Sequence, residues 1–170
     1  IGRKGVVATR IKRLGLRMEN GTDFELVDPE NDSRYKDFWQ TYLSIVERKG
    51  VTPTNAKSIV RTNTTVIGAL FVHKGLADGM ITGTVGRYQK HLKHVVDVVG
   101  LKDGVENPAA MVTLMHNNGT LFMSDTHINK NPSREQLVES TMLGADLIKH
   151  FGIKPKIAML SHSNFGTYDE

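Results

Sequence analysis

Val6, Val7, Ile11 and Leu14 recur at the spacing that places them on one side of a helix, and Gly15 follows as a stop. The chain is therefore predicted to open on a short amphipathic helix from Val6 to Leu14. Phe24-Glu25-Leu26-Val27 alternates like a strand and gives way to Asp28-Pro29-Glu30-Asn31-Asp32-Ser33, a run of turn-forming and capping side chains. Tyr35 to Lys49 returns to helical spacing, with Phe38, Trp39, Tyr42, Ile45 and Val46 on one side and Gly50 as the stop. Thr52-Pro53 is a start signal, a capping hydroxyl followed by proline in the first turn, and predicts a helix running to Lys74.

Gly79-Met80-Ile81-Thr82-Gly83 is short, apolar and bounded by glycine, the pattern of a buried parallel strand, and a helix is expected from Arg87 to Val99. Ala110 to Met115 and Thr120 to Ser124 flank His116-Asn117-Asn118-Gly119, which predicts a hairpin. Ser133-Arg134-Glu135-Gln136 has the form of a capping box and opens a helix through Phe151. Leu137, Val138, Leu143, Leu147, Ile148 and Phe151 are expected on its inner side. Lys156 to Ser161 reads as a last strand. Strands alternating with amphipathic helices, with one hairpin inserted, give an α/β fold with a mixed sheet. Leu101 to Pro108 is the best boundary, with residues 1–105 in a first lobe and 106–170 beginning a second. The chain starts on Ile1 and stops shortly after a core strand, so a fragment of something longer is expected.

Composition narrows the function. Hydrophobic residues at 39% and charged residues at 24% fit a globular chain, and no apolar run approaches the ~20 residues that span a bilayer. The first residues lack the apolar core of a signal peptide, which points to the cytoplasm and away from a membrane. The absence of cysteine removes disulfides and cysteine-based metal sites. The net charge of +4 is spread among interleaved acids, and Arg10-Ile11-Lys12-Arg13 offers no aromatic platform for bases. Nucleic acid is set aside, and a basic cleft for a phosphorylated small molecule accounts for the charge as well.

Gly83-Thr84-Val85-Gly86-Arg87-Tyr88 is the most informative stretch, because glycines between a strand and a helix let backbone approach a ligand. The helix start and Arg87 would favour an anion there; a plain strand-to-helix turn is the alternative. Ser161-His162-Ser163-Asn164 would lie beyond the end of the last strand, where ligands bind in open α/β sheets, though no nucleophile elbow surrounds Ser161. Asp125, His127 and Asn129 form a weak candidate cluster better explained by capping, and no metal site is expected. His91, His94 and Asp97 make a helical row that reads as a solvated face, given Lys90 and Lys93 among them. Arg61-Thr62-Asn63-Thr64-Thr65 is unusually polar for the interior of a helix and either lines a cleft or meets water. Neither a dinucleotide fingerprint nor a carboxylate cluster for a hydroxy-acid substrate appears.

Across these stretches the chain resembles the phosphate acetyl/butyryl transferase family, and within it the form fused to the C-terminus of bacterial malic enzymes. The resemblance rests on Arg48-Lys49-Gly50-Val51-Thr52-Pro53, on Arg61 to Thr65 and above all on Ala77 to Tyr88. It resumes at Gly119 to Asn129 and again from Phe151 to Gly166. It implies a two-lobed, three-layer α/β/α fold of the phosphotransacetylase and isopropylmalate dehydrogenase type, with a mostly parallel sheet. It also implies an acyl-CoA and phosphate cleft between lobes and a homo-oligomer. By the same resemblance Thr82, Gly83, Thr84, Gly86, Arg87, Tyr88, Lys93, Arg61, Asn63, Ser161, Ser163 and Asn164 would face acetyl-CoA as an effector. NADP and a divalent metal would belong to the malate-oxidising part of the same polypeptide, and no cofactor to this segment. True transferases carry an arginine near the position of Val46, with Arg48 close by here, and an Arg-Pro where Lys93-His94 stands, while their later serine, arginine and aspartate fall past Glu170. The resemblance therefore implies a regulatory, non-catalytic segment; active acetyl transfer between acetyl phosphate and CoA is the alternative.

Overall fold

The computed structural model describes residues 1–160 and Ser163, and the chain divides into two units, Ile1–Gly100 and Leu101–Glu170. The first unit carries helices α1 (Lys4–Arg13), α2 (Tyr35–Val46), α3 (Pro53–Thr62), α4 (Thr64–His73) and α5 (Tyr88–Val99), with a single 3-10 turn, Glu47–Lys49, after α2. Its core forms around α4, where every residue from Thr65 to Leu70 is buried. A helix apolar on all sides must be enclosed, and Phe38, Tyr42 and Val46 of α2, Ala56 and Val60 of α3 and Val98 of α5 enclose it. Phe38 meets Phe71 edge-on at 5.2 Å. The guanidinium of Arg34 covers the Phe71 ring at 4.9 Å while bonding Asp32 and Glu25.

The single helix expected from Thr52 to Lys74 is two helices, broken at Asn63 (φ −121, ψ 100). The polar stretch explains the break. Asn63 takes extended backbone and offers its side chain to the next helix start, a local bond that competes with continuing the helix. The entry at Thr52 is as read: its hydroxyl accepts from Asn55 N, with Pro53 at the first helical position. Helix α1 departs from expectation. None of its residues is buried, and Val6 and Leu14 are exposed. Polar ties hold its N-terminal end, from Lys4 N to the Asp28 carboxylate and from Arg3 to Glu30.

Two of the three isolated strands expected are extended backbone outside any ladder among the described residues. A strand exists only with a partner for its N–H and C=O groups. Phe24–Val27 places its groups in single bonds that do not build a ladder: Gly21 N donates to Phe24 O, Leu26 N donates to Asn20 Oδ1, and Gly2 N donates to Val27 O. Gly79–Gly83 likewise forms no ladder among the described residues. Of the third, residues 156–160 are irregular and Ser161 lies outside the described residues. Among the described residues the sheet is the hairpin alone, so the mostly parallel sheet is not formed there.

That hairpin, β1 (Met111–His116) and β2 (Gly119–Ser124), belongs to the second unit and pairs antiparallel with Met111 opposite Ser124 and His116 opposite Gly119. Helix α6 (Arg134–His150) follows, opened by the expected capping box: Gln136 N donates to Ser133 Oγ at 3.2 Å and Ser133 N to Gln136 Oε1 at 2.9 Å. Its buried residues are Ser140, Gly144 and Ala145, whereas Leu137, Val138, Leu147 and Phe151 of the expected inner side are exposed. Small side chains win because α6 lies close to the hairpin: Ser124 Oγ donates to the Ser140 carbonyl at 3.2 Å. Among the described residues no helix is long and apolar enough to cross a membrane.

Candidate functional site

The glycine loop meets a cavity in the first unit. The cavity measures about 460 Å³ and is lined by Gly79 to Thr84 together with Glu25, Val27, Thr64, Gly68 and Phe71. Of the residues expected to face a ligand, Thr82, Gly83 and Thr84 are on this wall. Gly83, Thr84 and Gly86 all have positive φ, at 133, 68 and 106. Thr84 pays for that conformation, since a β-branched residue is strained in the left-handed region. Gly68 on α4 lets the Met80 side chain close in, with Met80 Cε only 3.1 Å from where a Cβ would stand.

A chain of hydrogen bonds backs the loop. Thr82 Oγ1 and Thr65 Oγ1 are 2.8 Å apart, Thr65 Oγ1 is 2.7 Å from His91 Nδ1, and His91 Nε2 is 2.9 Å from the Val85 carbonyl oxygen. A carbonyl only accepts, so Nε2 donates; Nδ1 of the neutral ring then accepts from the Thr65 hydroxyl, whose oxygen receives the Thr82 hydroxyl. Thr65 is 1% exposed, so this polar side chain is buried with its bonding satisfied.

The remaining expected contacts have other partners. Asn63 Oδ1 accepts from the amides of Thr65 and Val66 and caps α4. The Arg61 guanidinium stacks on Tyr35 at 4.4 Å, beside Lys57 on Trp39 at 4.6 Å. Arg87 and Tyr88 are exposed at the start of α5. Ser163 is half-buried, and Ser161 and Asn164 lie outside the described residues.

Lys93 is tied to Asp97 at 2.7 Å, and Lys49 reaches the other oxygen of the same carboxylate. Burial pushes the Asp97 carboxyl up, but the two ammonium groups outweigh it and hold it below the ordinary carboxylate range. The bond to Asp97 raises Lys93 in turn. Tyr42, at the base of this cluster, is raised by burial and then by the charge on Asp97. Burial lowers the His94 imidazole, whose Nδ1 is buried with no hydrogen-bond partner among the described residues. The helical row His91, His94, Asp97 is thus divided between a loop contact, a half-buried ring and a lysine pair. Asp125 accepts from the amides of Ile128 and Asn129 and from Asn129 Nδ2, fixing the turn after β2. Among the described residues no cluster of three or more metal-ligating side chains occurs.

Sequence reasoning placed Thr65 only within a polar stretch that lines a cleft or meets water, and missed the part His91 plays. Two signals point to them: a hydroxyl directly before the apolar run Val66-Ile67-Gly68-Ala69-Leu70, and a histidine in the first turn after the loop. Side chains there lean toward the helix N-terminus, which is where the loop lies.

The family model for phosphate acetyl/butaryl transferases matches residues 1–170, and the chain belongs to that family. The NADP-dependent malic enzyme of Haemophilus influenzae is 47% identical over 99% of this chain and 22% of its own length. The phosphate acetyltransferase of Nitratidesulfovibrio vulgaris is 28% identical over 96% of this chain and 23% of its own. The chain therefore spans less than a quarter of the length of either relative. Among solved structures, EutD phosphotransacetylase from Staphylococcus aureus superimposes with a TM-score of 0.81 at 22% identity, over 99% of this chain and 50% of that one. That likeness establishes the α/β phosphotransacetylase fold for the chain.

Proposed function

We propose that this chain is the phosphotransacetylase-like regulatory and oligomerisation segment of an NADP-dependent malic enzyme, binding acetyl-CoA without transferring its acetyl group. One observation carries the reading: the chain is 47% identical to a malic enzyme along its whole length but 28% identical to a true acetyltransferase. On this reading the whole polypeptide decarboxylates malate oxidatively to pyruvate in the cytoplasm, and NADP and a divalent metal are held by the part outside this segment.

The local chemistry supports the non-catalytic half of the proposal. By the family resemblance the position of a transferase arginine falls near Val46, which is 1% exposed and serves the core, with Arg48 close by. By the same resemblance a second arginine corresponds to Lys93, a point charge already shared with Asp97. Holding a transferring acyl phosphate calls for the planar bidentate fork that lysine lacks. The cavity beside the glycine loop remains and supplies polar backbone and hydroxyls to a ligand.

A thermal-shift titration of the intact protein with acetyl-CoA, CoA and acetyl phosphate separately tests this, because a ligand that binds the native state raises Tm. A rise with acetyl-CoA, and no phosphate released from acetyl phosphate and CoA in parallel, is the expected result. Phosphate release would instead establish an active acetyltransferase, and no shift with any of the three would leave a scaffold.

A further inference from the structure

The Gly83–Gly86 loop holds three residues at positive φ, including Thr84, so something outside it must keep it in shape. Its two ends converge on one imidazole. His91 bonds the Val85 carbonyl directly and reaches Thr82 through the Thr65 hydroxyl. Thr65 in turn is anchored in α4, the most enclosed helix of its unit. Gly86 is part of the same device. A Cβ there would stand 3.0 Å from His91 Nε2, and its φ of 106 already suits glycine alone.

We propose that His91 is the positioning residue that latches the Gly83–Gly86 loop in its cavity-lining shape, and that acyl-CoA affinity depends on this latch although His91 does not itself line the cavity. The ligand named here rests on the function proposed above; the latch does not. An unlatched loop must be ordered by the ligand when it binds, and that ordering is paid for in affinity.

His91→Leu removes both bonds. His91→Gln restores them, since its Oε1 accepts from Thr65 while its Nε2 donates to Val85. Trypsin cleavage after Arg87, at the loop's exposed end, reads loop freedom in the intact, ligand-free protein, and cleavage after Arg61 within α3 serves as the control. His91→Leu is expected to speed cleavage at Arg87 roughly tenfold, leave Arg61 unchanged and weaken acetyl-CoA roughly tenfold, with His91→Gln close to wild type on all three counts. Should His91→Leu fail to fold, Thr65→Val cuts the anchor while keeping the Val85 bond, and an intermediate acceleration at Arg87 is expected. Unchanged cleavage at Arg87, equal acceleration at both sites, or unaltered affinity in a protein that binds acetyl-CoA overturns the proposal. Wild type that binds no acetyl-CoA overturns the proposed function instead, and the ratio of the two cleavage rates then decides the latch alone.

Discussion

Asn63 Oδ1 lies 3.1 Å from the amide nitrogen of Thr65 and also accepts from Val66, so one side chain starts the helix that forms the centre of the core. Asn63→Ala should therefore cost about 1 kcal/mol, the usual loss of a capping side chain. For a chain of this size that is a fall in Tm of roughly 2–4 °C, and Asn63→Asp, which keeps the acceptor, should recover most of it. Thermal denaturation of both variants gives the answer. If Asn63 instead serves a ligand, the alanine variant loses acetyl-CoA affinity and keeps its Tm.

The same residue shows where sequence reading reaches its limit. Caps and turns are local, so Thr52-Pro53, the Ser133/Gln136 box and the hairpin around Asn117-Asn118 were all legible. Asn63 was conspicuous as a polar residue in a helical run, but whether it faced a ligand or a backbone amide depended on a break that periodicity does not announce. Pairing is less legible still. Phe24–Val27 and Gly79–Gly83 have strand composition, and composition does not supply a partner. On α6 the large side chains looked like the inner face, yet the close approach of the hairpin selects Ser140, Gly144 and Ala145. The glycine loop could be read as a candidate site. Its support could not, because Thr65 is 17 residues from Thr82 and 26 from His91.

His94 should make the protein acid-sensitive. Burial lowers its pKa from 6.5 in the folded state, so the unfolded chain binds more protons over that range. Stability is then complete above about pH 6.5 and drains away as pH falls through the lowered folded value. Asp97 acts in the same direction at more acid pH, since its pKa is lowered from 3.8. His94→Leu removes the imidazole and the buried Nδ1 that lacks a partner among the described residues, so it should cost little at neutral pH. Melting curves between about pH 7.5 and pH 5 should fall less steeply for this variant than for wild type. Parallel curves would assign the acid sensitivity to another group.

Gly144 separates crowding from helix propensity. A Cβ there would come 2.9 Å from Met111 Cε and 3.6 Å from Ser124 Cβ. The first neighbour is the free end of a flexible side chain that can swing aside, and the second is ordinary contact. Against this small adjustment, alanine gains roughly 0.5–1 kcal/mol over glycine inside a helix. Gly144→Ala should accordingly be neutral or slightly stabilising. Gly144→Leu has no space between α6 and the hairpin and should cost about 1–3 kcal/mol, the usual penalty of overpacking. Denaturant midpoints of the two variants measure the difference, and equal losses would mean that the helix stands off the hairpin.

Restoring one arginine should not restore acetyl transfer. In Lys93→Arg the new guanidinium stands one helical turn from Asp97, the carboxylate that Lys93 already bonds and Lys49 shares. A carboxylate takes a guanidinium bidentately, so the restored fork would be held by Asp97 instead of being free for an acyl phosphate. Adding Val46→Arg makes matters worse, because Val46 is 1% exposed, and an unpaired charge buried there costs several kcal/mol. The expectation is no CoA-dependent phosphate release from Lys93→Arg, and a double variant that folds poorly. Turnover in Lys93→Arg alone would show that the cleft kept its catalytic geometry and lacked one cation. The proposal of a sensor without transfer chemistry would then give way to one of an acetyltransferase disabled by a single substitution.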